Sequence, residues 1–249
     1  MCEFTIEIAG RRVTVMACHE QVREHCREYL CAGEPDFTIA IAPEDIDREG
    51  EISRREAQLE GRPMPSYSRG YLEITAVQRK IAERLLGFDT LLFHGSAIGV
   101  DGECYLFTAK SGTGKSTHTR LWRETLGERA VMVDDDKPFL RLGEDGVTIY
   151  GTPWNGKHHL GENIHMPLKA ICILERGMEN RIVPITAQEA LITIFQQSHR
   201  PADIRQMGKY MELVDRLAGC VSFYRLQCNM DPQAARVAYQ GMSGRVLAD

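Results

Sequence analysis

Residues 93–117 read Phe-His-Gly-Ser-Ala-Ile-Gly-Val-Asp-Gly-Glu-Cys-Tyr-Leu-Phe-Thr-Ala-Lys-Ser-Gly-Thr-Gly-Lys-Ser-Thr, and this stretch decides the fold. Its second half is a loop built to grip phosphate. Glycines let consecutive backbone N–H groups converge on an anion, and the following helix adds its positive end. Gly112 and Gly114 supply the turn, and Ser111, Gly112, Thr113, Gly114, Lys115, Ser116 and Thr117 are the candidate phosphate-binding residues. Lys115 reaches the outer phosphates and the Ser116 hydroxyl ligates magnesium. The usual pattern opens with glycine; here Ala109 stands first, which is harmless if its φ is negative.

Upstream, Asp101-Gly102 separates two apolar runs, Leu91 to Val100 and Glu103 to Thr108. That dipeptide is a strong two-residue hairpin signal. It pairs Val100 with Glu103 and, followed to its end, sets His94 opposite Ala109. A bulge at Gly95 or Gly99 would break that register. A lone histidine on an apolar strand is commonly a satisfied core residue. The register instead sets His94 beside the phosphate loop, as a metal ligand, a phosphate contact or a proton shuttle.

Downstream, Ser116 to Leu126 reads as a helix and Ala130 to Val133 as a buried strand ending in Asp134-Asp135-Asp136. Magnesium prefers oxygen ligands, and a carboxylate must also orient or deprotonate the attacking group. Asp134 and Asp135 are the candidates for these two tasks, with the division between them open. Asp136-Lys137-Pro138 reads as a solvated turn.

Further on, Phe139 to Leu142 and Val147 to Tyr150 form a second hairpin pattern. Residues 151–161 make a loop with Trp154 as a stacking surface and Lys157, His158 and His159 as a basic patch. It reads equally as a lid over an anionic ligand or as a mobile surface loop. Adjacent histidines lack metal-pair spacing, so no zinc site is expected. Leu168 to Leu174 is a buried strand flanked by Arg176 and Arg181, which read as surface charges before phosphate ligands. Thr186-x-x-Glu189 is a capping box opening a helix through Phe195. Pro201 to Leu217 is helical, Val221 to Leu226 a strand, and Asp231-Pro232 opens a last helix.

The front of the chain alternates strand, turn and strand from Phe4 to Val15. Glu20 to Leu30 has helical composition and Phe37 to Ala42 is a strand. Residues 43–69 read as loop-rich or as a short helix, and Tyr71 to Leu86 as an amphipathic helix stopped by Gly87. The expectation is a small α+β portion over 1–85 and a phosphate-loop nucleotide-binding domain over 86–249. The fold class is α/β with a mixed sheet.

Apolar residues are 43% of the chain and charged residues 26%, with a formal net charge of −5. Basic residues are scattered, so neither nucleic acid nor a membrane surface is an expected partner. No leader and no long apolar run is evident, and a cytoplasmic location is expected. The eight cysteines show no C-x-x-C pair and read as free thiols.

The order Phe-His-Gly-Ser-Ala-Ile, Asp-Gly, apolar strand, Ser-Gly-Thr-Gly-Lys-Ser and Asp-Asp resembles the HPr kinase/phosphorylase family over roughly residues 90–142. It is also similar to the phosphate-loop core of phosphoenolpyruvate carboxykinases. The resemblance implies ATP and Mg²⁺ as cofactors and phosphorylation of a hydroxyl, a serine of a protein or peptide, or of a small molecule. It makes Lys115 the phosphate-binding lysine and Ser116 the magnesium-binding hydroxyl. His94 becomes an active-site histidine, and Asp134 and Asp135 share the roles of catalytic base and metal ligand, with Asp135 the metal candidate. A homo-oligomer is left open. The glycine-rich signature that follows the catalytic domain in that family has no counterpart here, so phosphorylase activity is not implied. Two other readings compete: a carboxykinase-like enzyme on a small carboxylate, which requires an arginine-rich pocket, and a non-catalytic nucleotide-binding module, which requires no acid pair.

Overall fold

The computed structural model describes residues 1–59, 61, 63–156 and 160–247. The chain forms two compact units, Met1–Arg84 and Leu85–Asp249.

In the first unit, strands β1 (Cys2–Ile8) and β2 (Arg11–Ala17) form an antiparallel hairpin. Ala9 and Gly10 both take left-handed φ, as a two-residue turn matched to strand twist requires. Phe4, Ile6, Val13 and Val15 alternate onto the buried face, and β3 (Phe37–Ala40) joins β2 in parallel. Helix α1 (Glu20–His25) is short. Helix α2 (Pro43–Leu59) corrects the loop-rich reading of residues 43–69. Pro43 suits a first helical turn, and Asp45 accepts from the Ala42 N–H at 2.8 Å. The helix was hidden because a buried position is Glu49, paired with Arg79, so apolar periodicity fails there. Helix α3 (Arg69–Leu85) buries Ile74, Val77, Ile81 and Leu85 at three- and four-residue spacing.

The second unit is a curled mixed sheet with helices on both faces. Its elements run β4 (Thr90–Leu92), β5 (Ser96–Val100), β6 (Glu103–Thr108), α4 (Lys115–Leu126), β7 (Ala130–Asp134), β8 (Phe139–Gly143), β9 (Gly146–Tyr150) and β10 (His165–Arg176). There follow β11 (Arg181–Ile185), α5 (Ala187–Gln197), α6 (Ile204–Cys220), β12 (Ser222–Cys228) and α7 (Gln233–Ser243). The strand order is β4-β8-β9-β10-β6-β5-β7, with β12 also beside β10 and β11 beside β12. Side-chain parity sorts the two faces. Cys104, Leu106, Ile171 and Ile173 join Ile194, Tyr210, Leu213 and Leu217 of α5 and α6. Tyr105, Phe107, Cys172 and Leu174 join Leu121, Trp122, Ala238 and Tyr239 of α4 and α7 on the other face.

The β5–β6 hairpin has the expected register, Val100 with Glu103 through Ser96 with Phe107. The single strand expected over Leu91 to Val100 is broken, however, into β4 and β5. The N–H groups of Phe93, His94 and Gly95 turn to the carbonyls of Pro138, Gln197 and Asp136 instead of the ladder. Strand β11 was not expected. Pro184 interrupts its pattern and lacks an N–H, which an edge strand bonded only to β12 tolerates.

Strand direction sets up the site. β6, β10 and β12 are mutually parallel, and β7 runs the same way because both it and β6 are antiparallel to β5. The carboxyl ends of these strands and the start of β5 therefore share one sheet edge, where ligands of α/β sheets characteristically bind.

Candidate active site

At that edge β6 passes into the glycine-rich loop and the loop into α4. Gly112 and Gly114 have φ of 75° and 120°, which side-chain-bearing residues rarely adopt. Ala109 is buried and has no left-handed φ, so the departure from glycine strains nothing. Gly114 precedes α4, no side chain caps the helix, and its first backbone bond is His118 N–H to Gly114 O at 2.9 Å. The first-turn N–H groups are thus left for an anion. Ser111, Gly112 and Ser116 are exposed; Thr113, Gly114, Lys115 and Thr117 are half-buried.

Lys115 has its pKa lowered by burial, opposed by the carboxylates of Asp136 and Asp135, while Lys137 lowers it further. His94 Nε2 lies 3.2 Å from Asp136 Oδ1. Burial lowers the pKa of His94; its bond to Asp136 raises it, and Lys137 and Lys115 lower it. The His94 carbonyl accepts from Thr108 Oγ1 at 2.9 Å, which ties the start of β5 to the end of β6.

The three consecutive aspartates have different surroundings. Asp134 is completely buried, and its carboxylate accepts four hydrogen bonds. Asp136 N–H (2.8 Å) and Lys137 N–H (2.7 Å) reach Oδ1, and the N–H and hydroxyl of Thr152, both at 2.9 Å, reach Oδ2. Burial still pushes its carboxyl up to about 7. These bonds join the turn after β7 to the segment after β9, and they leave the carboxylate no room for a ligand. Asp135 is nearly buried and accepts from Ser96 Oγ at 2.9 Å on Oδ1. Gly156 approaches its Oδ2 so closely that a Cβ would stand 3.1 Å away. The acids acting electrostatically on Lys115 are accordingly Asp135 and Asp136, one step along from the pair the sequence suggested.

Asp136 and Lys137 were read as a solvated turn; both are half-buried in this cluster. Trp154, expected as a stacking surface, is buried edge-on against Phe139, with ring centroids 6.4 Å apart. Lys157, His158 and His159 lie outside the described residues. Arg176 and Arg181, read as surface charges, are both exposed, and Arg176 also donates to Gly112 O at 2.6 Å in the glycine-rich loop. A hint was available: Arg176 ends a strand parallel to β6. Among the described residues no group of three or more His, Cys, Asp or Glu side chains is placed to hold a metal alone. Magnesium takes one or two protein oxygens and completes its shell with phosphate and water. Ser116 and Asp135 would supply those oxygens. No helix is long and apolar enough to cross a membrane among the described residues.

Fold and site together define a mixed α/β chain with a glycine-rich loop at the carboxyl edge of its sheet. The sequence matches no protein-family model and no curated protein. Among solved structures, the Hpr(Ser) kinase/phosphatase from Coxiella burnetii aligns with 60% of this chain and 94% of its own, at 10% identity and a TM-score of 0.34. A likeness that faint carries no argument about activity, so the functional reading rests on the site.

Proposed function

We propose that this chain is a magnesium- and ATP-dependent phosphotransferase that phosphorylates a hydroxyl, a serine of a protein or peptide. The observation that carries the reading is the meeting of Lys115, Asp135 and the His94–Asp136 pair at one edge of the sheet. Binding alone requires neither a half-buried histidine nor two acids beside the lysine. The loop N–H groups and Lys115 hold the triphosphate and stabilise charge on the phosphoryl group in transit. Ser116 and Asp135 would hold magnesium, which would neutralise charge on the phosphate oxygens. His94, kept neutral by burial and oriented by Asp136, accepts the hydroxyl proton as the acceptor oxygen bonds to phosphorus and ADP departs. Asp134 positions the turn that presents Asp135 and Asp136.

The test is transfer from γ-labelled ATP to a serine-containing peptide library, with magnesium, by the native chain and by Lys115→Ala. The native chain transfers label, and the variant falls by about a hundredfold or more. Unchanged transfer by Lys115→Ala would overturn the assignment.

A further inference from the structure

Between the glycine-rich loop and α5 lies a cavity of about 360 Å³. Lys110 of the loop, Glu175 and Arg176 at the end of β10, and Thr193, Gln196 and Gln197 of α5 contribute to its walls. Helix α5 packs on the sheet face opposite to α4. The cavity is positively charged. Lys110 and Arg176 are exposed, and among the described residues neither is paired with a carboxylate. Arg176 gives one N–H to a neutral acceptor, Gly112 O at 2.6 Å. The acid in the wall, Glu175, is already answered by Arg225, whose Nε lies 3.1 Å from its Oε1. Thr193 and Gln196 add only neutral groups. The cavity also adjoins His94. Gln197 O accepts from the His94 N–H at 2.7 Å, and Ala109, also in the wall, follows Thr108, whose hydroxyl donates to His94 O at 2.9 Å.

Resting on the phosphotransferase reading above, we propose that this cavity receives an acidic residue of the acceptor peptide, so that the chain phosphorylates serines with Asp or Glu beside them. A cleft lined by one sign of charge concentrates and selects partners of the other. The triphosphate has its own partners in that reading, Lys115 and the N–H groups at the start of α4, after both glycines. Lys110 precedes them and, with Arg176, lines the cavity walled by α5. An acceptor carboxylate placed there lies next to the histidine that takes the hydroxyl proton. A basic residue at the same place meets two like charges, so the cavity rejects as well as attracts.

The experiment is label transfer from γ-labelled ATP, with magnesium, by the full chain to serine peptides that differ only in the residues flanking the serine. Exposed ion pairs are individually modest, so two cations should favour Asp or Glu over Asn or Gln by about tenfold in kcat/KM, with Lys the poorest. Raising the salt concentration should shrink that ratio. Lys110→Glu should abolish most of it. Gln196→Glu, on the α5 wall, should lower it about threefold and Gln196→Lys should raise it. The ratio of two peptides cancels any general loss of activity or folding in a variant. Equal transfer to acidic and neutral peptides, a ratio that neither Lys110→Glu nor Gln196→Glu moves, or better transfer to a free hydroxy acid than to any peptide would overturn the proposal. In those cases Lys115-dependent transfer would leave the phosphotransferase reading standing. Absence of transfer to every one of these acceptors by the native chain would sink both.

Discussion

Asp134, Asp135 and Asp136 are identical side chains with three different fates, and their surroundings assign them. Asp134 accepts from four donors, of which the Thr152 hydroxyl alone has a second acceptor in reach, Lys137 O at 3.1 Å. In Asp134→Asn the amide NH₂ must face at least one of these donors. The loss is about 1–3 kcal/mol, the cost of an unpaired buried group, and a lowered urea midpoint would show it. An unchanged midpoint would mean that the N–H groups find other acceptors. In the proposed reaction His94 carries the pH dependence. Its pKa in the fold is below the ordinary 6.5, because burial outweighs the bond to Asp136. Neutral imidazole is the proton-accepting form, so transfer stays constant from alkaline pH down past 6.5 and falls only below it. The stability that depends on keeping this ring neutral is likewise present above 6.5 and declines as pH falls through that value, where the unfolded chain takes up protons first. A pH–rate profile with its acid limb centred above 6.5, or one unchanged in His94→Asn, would remove His94 from the proton-accepting role. Sequence order brought His94, Lys115 and the acid run together. It left open which aspartate turns inward, because Thr152, from a segment after β9, decides that.

Elements were legible where their signals are local. The β5–β6 register follows from Asp101-Gly102, whose φ values of 52° and 82° are those of the expected two-residue turn. The capping box of α5 is complete, Thr186 and Glu189 each satisfying the other's backbone N–H. Elements were illegible where a partner distant in sequence supplies the logic: α2 through the Glu49–Arg79 pair, β11 through its edge position. The break between β4 and β5 is of the second kind, and it fixes where His94 sits. Gly95 lies so close to β6 that a Cβ would stand 2.8 Å from the Phe107 carbonyl and equally near the Leu106 side chain. Backbone cannot yield as a side-chain tip can. Gly95→Ala should therefore cost about 1–3 kcal/mol, the usual penalty of overpacking. It should also lower phosphoryl transfer by moving His94, while pyrophosphate binding at the loop persists. A variant with the native urea midpoint and native turnover would show that the start of β5 adjusts freely.

At the scale of the whole molecule, every residue assigned to the site, His94 through Arg176, belongs to the second unit. So do both faces of the core that hold the sheet edge in place. The first unit has its own hairpin, its own buried strand face and its own ion pairs, Glu49 with Arg79 and Asp45 with Lys80. Both units lie within the size range of ordinary domains. A chain beginning at Leu85 should then fold cooperatively and bind ADP within about threefold of the full-length affinity, a difference well under 1.4 kcal/mol. Transfer to a peptide acceptor is a separate quantity: if the first unit recognises the acceptor, the fragment keeps ADP affinity and loses peptide phosphorylation. Calorimetry with ADP and label transfer to peptide, run on the fragment and the full chain, separate these cases. A fragment that folds but has lost ADP affinity would show that nucleotide binding draws on residues 1–84, contrary to a site complete within the second unit.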